Sequence, residues 1–282
     1  MFARVPASSA NLGPGFDAIA VALELYVEVT VEPSDGFTIT SDGFGGGLFD
    51  DEHHLGAVVA AHVLGHTDFS LHVVSAIPLS RGLGSSAALA LAAAAAAGAL
   101  DPLAVATRFD GHPENAAASM LGGLVVASVN ERDGIVARQL TLDEAWRFVV
   151  VVPDQELSTA DARRVLPERV ALADAVHNLN ALGLLIAGLA DHRAFVAASM
   201  DDRLHQPYRE KLLPYAPSLL ATLRDAGAAG ACWSGAGSSM LGLADESSAS
   251  SVADAATQFL MTHGVAGTVL TLRADRTGLV TR

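Results

Sequence analysis

Residues 71–100, LHVVSAIPLSRGLGSSAALALAAAAAAGAL, leave this chain few ways to fold. Leu71 to Ile77 is a short apolar, β-branched run that reads as a strand, and Pro78 ends it. From Ser85 onward an Ala-rich stretch reads as a buried helix, so Gly82 and Gly84 fall at a strand-to-helix turn. Glycines there let the backbone approach an anion closely. The helix start aims unpaired N–H groups and the positive end of its dipole at the same point. A phosphate fits such a turn, and Ser86 offers a hydroxyl of the kind that holds Mg²⁺. Taken alone, GLGSS is also a tight turn with a Ser N-cap. The strand before it and the helix after it favour the anion.

The basic residues sharpen this reading. Lys211 is the only lysine among 17 basic residues, which nearly excludes a lysine-centred phosphate site. Nucleotide phosphates would have to be held by backbone N–H groups, hydroxyls, a metal ion or arginine. The net charge of −14 is spread among arginines rather than blocked, giving a solvated acidic surface and making nucleic acid a poor partner. Cys232 is the single cysteine, so neither an internal disulfide nor a cysteine-cluster metal site is expected. No charged segment precedes an apolar one at the N-terminus, and the apolar stretch Ala87 to Leu100 is too short to span a bilayer. The expectation is a cytoplasmic protein with no membrane partner.

Elsewhere the patterns alternate between strand and helix. Val21 to Val31 carries apolar residues at every odd position, with Glu24, Glu28, Thr30 and Glu32 on the other face, which predicts a half-buried strand. Further strands are expected at 37–40, 124–129, 147–152, 229–233, 239–243 and 266–272. Helices are expected after Pro102 and Pro113, at 159–165 behind a Ser158/Asp161 capping pair, at 171–189, 217–224 and 247–262. The Gly-rich GFGGGLFDDEHH must be a loop. This order predicts an α+β protein in two lobes, 1–152 and 153–282.

PLSRGLGSSAA resembles the second motif of the GHMP kinases, and SGAGSS at Ser234–Ser239 resembles their third, with Ser238 in place of the usual Pro and hence a less rigid loop. The resemblance implies an N-terminal ribosomal-protein-S5-domain-2-like lobe and a C-terminal ferredoxin-like lobe. It also implies ATP and Mg²⁺ as cofactors, with Pro78, Arg81, Gly82, Leu83, Gly84, Ser85, Ser86, Gly235 and Gly237 around the nucleotide. Four segments are similar to the homoserine kinase branch: PASSANLGPGFD from Pro6, GHPENAAASMLGG from Gly111, STADARRVLP from Ser158 and HQPYREKLLP from His205.

That branch implies L-homoserine as substrate, bound by Asn11, Asp17, His112, Arg163 and Arg209. Guanidinium forks at Arg163 and Arg209 suit a carboxylate, and Asp17 suits an ammonium or a hydroxyl. Ser86 and Asp110 are the implied metal ligands, with Asp110 standing where the branch has Glu and Glu114 as the nearby alternative. No residue is assigned as catalytic base. The resemblance further implies a homodimer and a place in threonine biosynthesis. His54, where the branch often carries Asn, keeps open a kinase for another small alcohol, and a non-catalytic amino-acid-binding paralogue is the other alternative.

Overall fold

A computed structural model describes every residue except 131 and 133. The chain begins with β1 (Phe2–Ala10), β2 (Ile19–Pro33), β3 (Thr38–Gly43), α1 (Leu55–Leu64), β4 (Phe69–Ser75) and α2 (Ser85–Ala96). Next come α3 (Pro102–Asp110), α4 (Pro113–Leu121), β5 (Leu124–Asn130), β6 (Gly134–Leu140) and β7 (Arg147–Pro153). The remainder holds α5 (Thr159–Arg164), α6 (Leu172–Ala190), α7 (Gln206–Arg209), α8 (Ala216–Asp225), β8 (Gly230–Trp233), β9 (Met240–Ala244), α9 (Ala249–His263), β10 (Gly267–Leu272) and β11 (Val280–Thr281).

Two sheets result. The first runs β11-β1-β2-β4-β3, with β5 on β2 and β6 on β5, and among the described residues only its β3–β4 pair is parallel. The second is antiparallel in the order β10-β7-β9-β8. With α9 between β9 and β10, this is the ferredoxin-like arrangement. The expected α+β two-lobed architecture is therefore the observed one. β7 pairs within the second sheet, while β11 returns the chain to β1 of the first.

In β2 the odd positions Val21, Leu23, Val27, Val29 and Val31 are buried, as the two-residue period requires. Helix α2 packs against β1 and β2, and its alanines from Ala87 to Ala96 are almost all fully buried. Side chains that small let the helix lie close to the sheet. Leu91, also buried there, would cost about 2 to 5 kcal/mol on truncation to Ala. Helix α6 has the length and apolarity of a membrane span, yet Ala181, Leu185 and Leu189 are buried against the protein body.

Some elements differ from expectation. β4 ends two residues early because the Ser75 hydroxyl accepts from the Ile77 N–H at 3.2 Å and turns the chain. β1, α1, β6, α7 and β11 have no counterpart in the sequence reading. Pro6 sits inside β1, at a register shift in its pairing with β2. That interruption hides the strand's pattern.

Candidate active site

Helix α2 begins without a side-chain cap. Its N-cap is Gly84, in the left-handed conformation with φ of 65°, so the first N–H groups of the helix stay open for an external acceptor. The loop before it is fixed by close backbone packing. A Cβ on Gly82 would lie 2.0 Å from the Ser234 carbonyl oxygen, and one on Gly84 would lie 2.2 Å from the Ser8 hydroxyl. Ser234 donates to the Gly82 carbonyl at 2.7 Å, and the Ser239 N–H donates to the Arg81 carbonyl at 3.2 Å. The two Gly-rich loops thus form one unit. Ser238 is buried and its hydroxyl donates to the Gln155 carbonyl. The loop expected to be less rigid for want of a proline is anchored by that hydroxyl instead.

Two clefts meet at the α2 N-terminus. The first, of about 230 Å³, is lined by Asn11, Arg81, Gly82, Gly84, Ser85, Ser86, Asp110, His112, Arg163, Arg209, Gly235 and Gly237 among others. The second, of about 270 Å³, has walls that include Phe44, Phe49, Leu79 and Leu89, and it shares Ser80, Ser85 and Ser86 with the first. An apolar chamber and a polar one therefore open on the same uncapped helix start.

The polar chamber is built by side chains far apart in sequence. Asn11 and Asp17 both take left-handed backbone angles, which short polar side chains tolerate, and the Asn11 side chain ties the turn by accepting from the Asp17 N–H and donating to the Gly235 carbonyl. Asp17 receives both Nη1 and Nη2 of Arg163, at 3.0 and 2.7 Å. Arg163 reaches it from α5, whose N-cap Ser158 accepts from the Asp161 N–H as expected. Arg209, on α7, is 1% exposed and donates to the Gly235 carbonyl at 2.9 Å, while its buried Nε has no partner among the described residues. Burial pulls its pKa down to about 10, so it stays a cation at neutral pH.

Phe16 lies between the two guanidiniums, 5.6 Å from Arg163 and 5.5 Å from Arg209, and stacks on His205. His205 donates from Nε2 to the Gly13 carbonyl and accepts from Arg209 at Nδ1. These contacts set the direction in which Arg209 points. Nothing in the linear sequence marks Phe16 or His205 as supports of the arginines.

Beside Arg163, whose Nη2 lies 3.4 Å from His112 Nδ1, stand His112, Glu114 and Asp110. Hydrogen bonding to Glu114 outweighs burial and raises the His112 pKa. Asp110 ends α3 with Oδ2 buried and without a partner among the described residues, and desolvation raises its pKa to about 6. An orphaned carboxylate oxygen in the same cleft as the Ser86 hydroxyl suits a hard divalent cation. Glu114, the alternative ligand, is instead engaged by His112 and by the Asn115 amide, a cleft residue the sequence reading passed over.

Other expected residues sit less centrally. Pro78 is buried and Leu83 gives its carbonyl to the Ser8 N–H, and neither lines a cleft. The Arg81 guanidinium turns from the phosphate position to the Leu79, Pro153 and Asp154 carbonyls and pairs with Glu156.

Residues 53–123 match the GHMP kinases N terminal domain, and residues 172–260 match the GHMP kinases C terminal family. The chain belongs to the GHMP kinase family. Within it, a homoserine kinase from Desulfitobacterium hafniense is 36% identical over 290 residues, covering 98% of this chain and 97% of the relative. One from Cutibacterium acnes is 38% identical, covering 92% and 94%. The crystal structure of homoserine kinase from Cytophaga hutchinsonii superposes with a TM-score of 0.86 at 27% identity, over 99% of this chain and 96% of that one. A Leishmania major mevalonate kinase in complex with R-mevalonate shares the fold, with a TM-score of 0.70 at 14% identity over 98% and 95%.

Proposed function

We infer that this chain transfers the γ-phosphoryl group of ATP to the side-chain hydroxyl of L-homoserine, giving ADP and O-phospho-L-homoserine in threonine biosynthesis. The observation that carries this is the meeting of the two clefts at the α2 N-terminus. The apolar cleft takes the nucleoside. The triphosphate crosses Ser85 and Ser86, and the polar cleft takes a small zwitterion at the γ-phosphate end.

Residues 1–152 supply the nucleotide side, and 153–282 complete the acceptor side through Arg163 and Arg209. Arg209 and Arg163 are placed to fork onto the substrate carboxylate. Asn11, Asp17 and His112 are placed to hold its ammonium and hydroxyl. Ser86 and Asp110 would hold Mg²⁺, which neutralises charge on the β- and γ-phosphates. The substrate hydroxyl oxygen attacks the γ-phosphorus as the bond to the β–γ bridging oxygen breaks, ADP leaves, and the hydroxyl proton is released to solvent. Asp17 is held by Arg163 and Glu114 by His112, so neither carboxylate is assigned as base.

The homodimer belongs to the same proposal. The solvent face of α6, with Leu172, Val176, Leu179, Gly183 and Leu184, carries no charge on a chain of net −14. Two acidic copies repel least through such a face.

A coupled ADP-release assay with homoserine, serine, threonine, mevalonate and galactose under saturating MgATP tests the acceptor. Homoserine is expected to give the highest kcat/KM. Faster turnover of another alcohol replaces the assignment, and binding without turnover replaces the enzyme by a sensor.

A further inference from the structure

Arg209 needs both a counter-charge and a fixed direction. Its side chain is buried, Asp17 is spent on both Nη groups of Arg163, and α7, which ends on Arg209, is a single turn. So short a helix does not hold its own direction. Both needs are met at Asp202, whose side chain is fully buried and does not line the cleft. Its Oδ2 accepts from the His205 and Gln206 N–H groups at 3.1 and 2.7 Å, which satisfies the start of α7. Its Oδ1 accepts from the Leu204 N–H at 2.9 Å and from the Asn178 amide of α6 at 2.7 Å. All four partners donate, as an ionised carboxylate requires. The His205 ring bridges the two charges, with Nε2 3.3 Å from Asp202 Oδ2 and Nδ1 accepting from Arg209 Nη1 at 3.2 Å. Gln206 completes the mounting. It accepts from the Trp233 N–H of β8 at 2.9 Å, two residues before the Gly235 carbonyl that Arg209 grips.

We propose that Asp202 is a positioning residue of the acceptor site, fixing the turn that carries Arg209 and balancing the buried guanidinium across His205. This rests on Arg209 receiving the substrate carboxylate. A counter-charge in direct contact would occupy the guanidinium fork that the substrate needs. Held one imidazole away, the Asp202 carboxylate steadies the cation and leaves it able to fork onto an incoming carboxylate.

The test is Asp202→Asn, which keeps the shape but loses the charge and one of the two acceptor oxygens, alone and combined with Arg209→Ala. Homoserine kinetics are measured on each chain, with calorimetric affinity for the β,γ-imido analogue of ATP. Asp202→Asn is expected to raise KM for homoserine by about 10- to 100-fold, the cost of a binding group misplaced by up to about an ångström. The carboxylate is bound alike in ground and transition states, so kcat should stay near the wild type, as should analogue affinity. On the Arg209→Ala background the same substitution should cost nothing further. An equal loss on both backgrounds, or a matching loss of analogue affinity, would overturn the inference by making Asp202 a support of the fold alone. Should Asp202→Asn not fold, Asn178→Ala leaves the charge but releases one oxygen. A smaller rise in KM that vanishes on Arg209→Ala is then expected, and additive losses there sink the proposal equally. A wild type that binds homoserine without phosphorylating it would remove the acceptor assignment, while the same cycle read in binding constants still decides the role of Asp202.

Discussion

On the proposed function, the two ends of the polar cleft recognise charge by different means. At the phosphate end the donors are main-chain N–H groups, held by glycines packed backbone against backbone between Gly82 and Ser234. At the acceptor end the donors are guanidiniums, aimed by Asp17, Phe16 and His205. The first end is set by shape and the second by charge. Substitutions at the first should therefore act through the fold, whereas those at the second should act through substrate affinity.

Gly82→Ala should have the largest effect. It combines a φ of 72° with a methyl group 2.0 Å from a carbonyl oxygen, so the loop must move. We expect loss of nearly all activity and a lowered Tm, measured by coupled assay and calorimetry, and retained ATP affinity would contradict a shape-set site. Arg209→Ala comes next. Removing a buried, charged donor should lower kcat/KM for homoserine by about 3 to 5 kcal/mol while leaving ATP affinity nearly intact, as a calorimetric titration can separate. Arg163 is more exposed and already paired with Asp17, so Arg163→Ala should cost about 2 kcal/mol in the same kcat/KM.

Acid should loosen the acceptor end through His205. Burial lowers its pKa from the ordinary 6.5 to about 4. Between those values the unfolded chain binds a proton that the folded chain refuses, so stability is full above about pH 6.5 and falls as the pH drops towards 4. The slope of Tm over that window should flatten in His205→Gln. The smallest effect is expected from Ser158→Ala, which removes the cap of α5 and should cost about 1 kcal/mol of stability, with a slight rise in KM for homoserine.

The same contrast decides what could be read in the sequence. A backbone site is written locally, because Gly82, Gly84 and the helix after them must be neighbours along the chain. The glycine turn from Gly82 to Ser86 was legible for that reason. Asn11, Asp17, Arg163 and Arg209 were found through resemblance, since their partnership spans almost two hundred residues and leaves no periodic trace. Phe16 and His205 act by supporting other side chains, a role that only packing reveals. Arg81 stands inside the loop motif, yet only the fold shows that its guanidinium leaves the phosphate site. The apolar cleft was hidden by its location, for Phe44 and Phe49 lie in a Gly-rich segment whose pattern says only that it is not a helix or a strand.

The departure of Arg81 carries a mechanical meaning. By grasping the Pro153 and Asp154 carbonyls and Glu156, it rivets the turn that receives the phosphates to the strand where the second sheet begins. A tilt of one lobe against the other would then drag on the donors proposed to grip ATP. Reciprocally, a triphosphate bound there would stiffen the joint between the lobes and so set the stage on which the arginines meet their substrate.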